Sequence, residues 1–195
     1  MKAKPLIALM MTILLLAGCS AVSEKKTYFY SLSPIVEVPT NSPAPSSDFS
    51  LGLGPMAFPK LLDRPQIITR SGDNKIEREE FHQWGGSLEQ EFLQVLVDNL
   101  ETLTHSSRIY IYPWDSRRRP KYQVRLTVSR FDGKPGKQVQ LRVRWQLLGE
   151  RGKSEIKVQQ SLITEPVSGT TFSDYVAAQS RAIAQLARKI KAALP

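Results

Sequence analysis

Three consecutive segments alternate between apolar and polar residues, and they constrain this chain more than any other feature of it. Tyr122, Val124, Leu126 and Val128 alternate with Gln123, Arg125, Thr127 and Ser129. After the turn signal Asp132-Gly-Lys-Pro-Gly136, the pattern repeats: Val139, Leu141, Val143, Trp145 and Leu147 against Gln140, Arg142, Arg144 and Gln146. Gly149 to Gly152 then turns into a third segment holding Ile156 and Val158. Successive side chains on a strand point to opposite faces, so a period of two predicts an antiparallel meander with one buried and one wet face. Arg125, Arg142, Arg144 and Lys157 are expected together on the wet face, with Tyr122 and Trp145 turned to the core.

An apolar sheet face needs a cover, and two segments have the period to supply it. From Ser87, the residues Leu88, Phe92, Val95, Leu96, Asn99, Leu100 and Leu103 make one helical stripe, with Ser87 and Gln90 at capping-box spacing and Thr104 to Ser107 as its end. A last helix is expected from about 173 to 193, with Val176, Ile183, Leu186 and Ile190 inward. Thr171 and Asp174 are placed to cap its start, and Arg188, Lys189 and Lys191 suit the negative end of its dipole. Shorter strands are predicted at 28–32, 49–58, 66–70, 75–81 and 108–112. Gly52 and Gly54 are candidates for a bulge or a close contact, and Ser71-Gly-Asp-Asn74 is a hairpin turn. Pro34, Pro39, Pro43 and Pro45 make 34–47 a loop. The expected fold is α+β: an antiparallel sheet of about six to eight strands, including the three-stranded meander, with two amphipathic helices packed on one face.

The N-terminus sets the compartment. Lys2 and Lys4 precede an apolar run from Pro5 to Leu16, and Leu16-Ala17-Gly18-Cys19 follows. The run is shorter than the ~20 residues that span a bilayer and reads as a secretory signal. Leu16 to Cys19 resembles the bacterial lipobox, in which the cysteine is lipidated and becomes the new N-terminus. An ordinary signal peptide followed by a free thiol is the other reading. The domain organisation is then a lipoprotein signal peptide at 1–18, a lipidated tether at 19–27 and a single domain at 28–195. The polar tether after Cys19 reaches ~28 Å when extended. Three acyl chains bind far more firmly than one, at ~0.8 kcal/mol per buried CH₂. Ser20 after the cysteine fits the family-level sorting rule for export, which points to the outer membrane, facing the periplasm.

The single cysteine and two histidines exclude an internal disulfide and a Cys/His zinc site. The chain carries +9, and the leader holds two lysines and no acid, so +7 stays with the mature chain. No G-x-S-x-G elbow and no phosphate-binding P-loop is present. His82 and His105 read as solvent-facing, and the run of Glu77, Glu79, Glu80, Glu89 and Glu91 as solvated charges. No catalytic residue, cofactor or metal is expected. A basic sheet binds nucleic acid when aromatics stand on the same face, and here the strand aromatics fall on the other. The basic face is instead a solvated surface, or one that meets an acidic protein or anionic lipid head groups.

The segment Phe58-Pro-Lys-Leu-Leu-Asp-Arg-Pro-Gln-Ile-Ile-Thr-Arg70 is the most distinctive in the chain. It resembles the signature of the Pqi-type ABC transport auxiliary lipoproteins. Trp84 before Ser87-Leu88, the pair Pro113-Trp114, the Tyr122 to Val128 strand and the early Tyr28 to Leu32 strand fit the same pattern. Leu62, where an aromatic is common, and Gly85-Gly86 after the tryptophan depart from it. The resemblance implies a non-catalytic helper of an intermembrane lipid-transport system, which would dock an MCE-domain tunnel protein as a homo-oligomeric ring. Its signature loop supplies Leu61, Asp63, Arg64, Pro65, Gln66 and Arg70 as structural or partner-binding residues. For Asp63 and Arg64 the options are a local ion pair that pins the loop, or contact with a partner or neighbouring subunit. Trp84, Trp114, Arg125, Arg142 and Arg144 are candidate interface residues, with a core role the alternative for the two tryptophans. An adaptor or pilot lipoprotein of another envelope machine, a carboxylate-dependent hydrolase and a lipid-binding domain are the competing readings.

Overall fold

The alternating segments form the three longest strands in the computed structural model, which describes residues 25–34, 49–72, 74–115 and 119–195. The signal segment, Cys19 and most of the proline-rich loop lie outside the described residues. In chain order the elements are β1 (Tyr28–Tyr30), β2 (Leu51–Ala57), β3 (Gln66–Arg70), β4 (Ile76–Trp84), α1 (Leu88–Thr104), β5 (Ile109–Ile111), β6 (Tyr122–Lys134), β7 (Gln138–Gly149), β8 (Ser154–Pro166) and α2 (Phe172–Lys191). Among the described residues the fold is α+β, with the two helices and eight strands that the patterning predicts.

The strands form two mixed sheets rather than one antiparallel sheet. A five-stranded sheet has the order β5-β2-β6-β7-β8, and a three-stranded sheet the order β1-β4-β3. The β6-β7-β8 meander and the β3-β4 hairpin are antiparallel, as expected. However, β2 runs parallel to both β5 and β6, and β1 runs parallel to β4. The chain between β2 and β5 includes α1, and such a crossover returns it to the same end of the sheet. Nothing in the side-chain pattern of a short strand reports the direction of its neighbour.

One strand also reverses phase. A register shift lies between Leu147 and Leu148 of β7, opposite Ile156 of β8. Ser161, Ile163 and Glu165 therefore point inward, while Ile156, Val158 and Leu162 are exposed on the outer face. Lys157, expected on that outer face, instead pairs with Leu147, and its ammonium lies 6.0 Å from the centre of the Trp145 ring. One extra residue in a ladder flips every side chain beyond it.

The helices cover the inner face of the large sheet. Leu88, Phe92, Val95, Leu96, Asn99 and Leu100 of α1 are buried, as are Tyr175, Val176, Ile183, Leu186 and Ile190 of α2. They meet Val124, Leu126, Val143, Trp145 and Leu147 in one core. Each large apolar side chain buried there contributes roughly 1.5–3 kcal/mol. Trp145 satisfies its only polar atom by donating to Ser161 Oγ at 3.1 Å. Both predicted caps form. Ser87 Oγ accepts from the Gln90 amide at 3.4 Å, and Thr171 and Asp174 exchange bonds at 3.2 and 3.0 Å. Among the described residues no helix is long and apolar enough to cross a membrane.

Candidate functional site

The signature loop directs most of its contacts inward. Two tight turns, Leu62 N–H to Pro59 O at 2.9 Å and Arg64 N–H to Leu62 O at 3.0 Å, bury Leu62 and leave Leu61 half-buried. Phe58 packs on Phe92 of α1 with ring centres 5.8 Å apart. Asp63 does not turn to Arg64, so the local ion pair is not made. Its carboxylate instead accepts from Ser87 Oγ at 3.5 Å, at the N-cap of α1, where a negative charge faces the positive end of the helix dipole. The buried Arg64 Nε has no hydrogen-bond partner. Pro65 O accepts from the Trp84 amide at 2.7 Å, and Gln66 pairs with Gln83 just before a register shift in the β3-β4 ladder. The loop thus joins α1 to β4 before it enters β3.

Arg70 ends β3 and ties the two sheets together. Its Nε donates to both oxygens of Asp132 at 2.8 Å, and Arg130 Nε reaches Asp132 Oδ1 at 2.8 Å. The Asp132 side chain is 2% exposed. A carboxylate removed from water to that extent is tolerated because two guanidinium groups answer it. Tyr175 lies beside this group, donates its hydroxyl to Ile68 O at 3.2 Å, and has its pKa pushed far up by burial and then by the Asp132 charge. Neither Asp132 nor Tyr175 is singled out by sequence reasoning. Asp132 stands in a turn signal, and Tyr175 differs from an ordinary helix aromatic only in what it reaches.

The two candidate tryptophans part company. Trp84 is buried in the core, whereas Trp114 is half-exposed. Trp114 lies over the outer face of the large sheet, where Gly52 pairs with Gln123. A Cβ on Gly52 would come within 2.6 Å of its ring, so only glycine permits this approach. Gly54, at φ 111°, marks the predicted irregularity between Leu53 and Met56. Trp114, Tyr112, Pro120 and Arg125 line a cleft of about 440 Å³. Arg125, Arg142 and Arg144 are exposed on the same outer face. An aromatic therefore does reach the basic face, from the segment after β5 rather than from the meander itself.

His82 is not a solvent-facing residue. It accepts from or donates to Tyr30 OH at 2.7 Å and stacks on Phe172 with centres 3.8 Å apart. His105 adopts a left-handed backbone, φ 52°, at the C-cap of α1, and its buried Nε2 has no partner. The two imidazoles are thus engaged at different elements, one in an aromatic stack and one at a helix end. Among the described residues no group of three or more His, Cys, Asp or Glu could hold a metal ion.

Comparison with known proteins fits this architecture. A crystal structure of an uncharacterised protein superposes with a TM-score of 0.69 at 15% identity, covering 86% of this chain and 97% of the other. A crystal structure of a protein from Xanthomonas campestris gives a TM-score of 0.66 at 17% identity, covering 83% and 92%. At these identities the likeness is one of fold. No curated protein matches the chain. The family model for the ABC-type transport auxiliary lipoprotein component matches residues 30–191. The chain belongs to the ABC-type transport auxiliary lipoprotein family.

Proposed function

We propose that the protein is a non-catalytic lipoprotein, held by Cys19 on the periplasmic leaflet of the outer membrane, that docks the outer end of an MCE-type lipid-transport tunnel. It acts as a ring of identical subunits around the tunnel exit. The observation that carries this reading is the family match over residues 30–191, which contains the signature loop and both helices. An auxiliary component supplies position and a surface rather than bond chemistry. The lipid anchor fixes the domain within a tether length of its membrane and raises its effective concentration near a periplasmic partner. The outer sheet face supplies Arg125, Arg142, Arg144 and Trp114, residue types that dominate binding energy at protein interfaces. Three arginines favour an acidic surface on the tunnel protein and speed the encounter more than they add affinity.

Cross-linking in intact cells, followed by identification of the captured protein, tests the reading. The expected product contains an MCE-domain protein, and the double reversal Arg142→Glu/Arg144→Glu diminishes it. Cys19→Ser is expected to leave the membrane fraction. Recovery of no MCE-domain protein from the wild-type cross-link would refute the docking role, and a Cys19→Ser protein still firmly membrane-bound would refute the anchor.

A further inference from the structure

We infer that the β1 edge of the small sheet seats the domain on the phospholipid head-group layer of the membrane that holds Cys19, with Tyr28 and Phe29 as its contact residues. Phe29 is 68% exposed, more than any other large apolar side chain among the described residues, and Tyr28 is 48% exposed. β1 is an edge strand in the order β1-β4-β3. Tyr28 pairs with His82 and Phe29 with Gln83, so the two rings leave the strand on opposite faces and flank its free edge. Phe81 of β4 adds a third exposed ring. Two exposed cations rim these aromatics. The Lys25 ammonium lies 5.2 Å from the centre of the Phe81 ring, and that of Lys26 lies 5.5 Å from the centre of Tyr28.

An exposed apolar patch rimmed by charge marks a contact with a protein or a membrane. The length of chain before it selects the membrane. Residues 20–24 separate Cys19 from Lys25, a reach of ~22 Å when extended, so the start of β1 stays near the head groups at high effective concentration. The residue types suit that layer. A tyrosine places its ring against acyl chains and its hydroxyl among head groups, and a lysine lays its stem on apolar surface while its charge stays in water. Tyr28 is also held in place. Its ring stacks on His82 with centres 5.7 Å apart, and His82 stacks on Phe172 of α2 at 3.8 Å. Tyr30, by contrast, commits its hydroxyl to His82 at 2.7 Å and packs against the core. Acyl chains alone leave the domain free to swivel about its tether. A second contact at β1 sets which side of it faces the periplasm.

The inference rests on the anchor at Cys19 and not on tunnel docking, and the experiment reads anchor and seat separately. The full mature lipoprotein is reconstituted on vesicles of phosphatidylethanolamine and phosphatidylglycerol. With Cys19 acylated, a nitroxide on Thr27→Cys, or on Gln160→Cys of β8 as the reference, labels one site. Flotation with the vesicles reads the anchor. Collision of the nitroxide with oxygen, against collision with a water-soluble nickel chelate, reads its depth. The Thr27→Cys label is expected in the head-group layer, with a several-fold loss of nickel accessibility relative to the Gln160→Cys label. Adding Tyr28→Ser/Phe29→Ser should return it to water. Both of those side chains are exposed, so the core stays intact, and Phe29→Ser alone should return it part of the way. Protein that floats with a water-exposed Thr27→Cys label keeps the anchor and overturns the seat. So does a depth that the double variant leaves unchanged, or a Gln160→Cys label that lies deeper than the Thr27→Cys label. Protein that does not float overturns both.

Discussion

The large and small sheets are held by different physics. The five-stranded sheet buries a continuous apolar stripe under two helices, and its strength is spread over Val124, Leu126, Val143, Trp145, Leu147 and their helix partners. The three-stranded sheet has less of this. Ile67, Ile68 and Trp84 reach the shared core, but much of β4 is exposed, and the sheet is also tied to the rest at discrete points: Arg70 to Asp132, Ile68 O to Tyr175, and the Tyr30–His82–Phe172 stack. Distributed packing fails gradually with each truncation, whereas a junction made of one buried carboxylate fails when that group is removed.

The largest effects come from attacking each mode at its centre. Asp132→Ala should cost about 3–5 kcal/mol in denaturant unfolding, because two arginines lose the charge that justified their burial. Trp145→Ala should cost a similar amount, about 3–5 kcal/mol, through a cavity in the large sheet. The two losses separate on rescue. Replacing Arg70, Asp132 and Arg130 together by Met, Leu and Met should recover most of the first, since an apolar triad removes the unpaired charge. If the triple variant is no more stable than Asp132→Ala, the junction is not electrostatic in origin.

Gly52→Val is expected next, at roughly 1–3 kcal/mol, because its side chain must displace the Trp114 ring or Pro120. A matching change in Trp114 fluorescence would tie the loss to that contact. Tyr175→Phe should cost about 1 kcal/mol and speed amide exchange in β3 more than in β7, as Ile68 O loses its donor.

The smallest effect is a pH dependence. The Thr171 hydroxyl and amide hold the Asp174 carboxyl below its ordinary value of 3.8. A carboxyl lowered in the folded state contributes stability that is fully present above 3.8 and is lost as pH falls through the lower folded value. Thr171→Val should therefore unfold with a flatter profile below pH 4 than the wild type, while the two profiles run parallel above pH 5. Parallel profiles throughout would show that the cap carries no linkage.

Much of this was legible beforehand where the signal is local. The capping residues Ser87 and Thr171, the helix stripes and the alternation of β6 and β7 depend on near neighbours in the chain. The reading of β8 failed because a single bulge opposite Leu147 and Leu148 reverses which residues face in, and no residue there announces it. His82 was misread for a related reason. Its partners, Tyr30 and Phe172, lie 52 and 90 residues away, and the strand residues leading up to it, Glu77 to Glu80, are all charged.

The sequence by itself determined the elements, their caps, the apolar faces of β6, β7 and the two helices, and the family, because periodicity and short-range hydrogen bonding are properties of contiguous residues. Only the tertiary structure decided that the strands split into two sheets, that Asp63 reaches Ser87, that Trp114 lies over Gly52 on the basic face, and that Arg70 and Arg130 converge on Asp132. Those contacts join segments far apart in the chain. Their partners are chosen by how the layers close over one core, and composition and spacing along the chain carry no record of that choice.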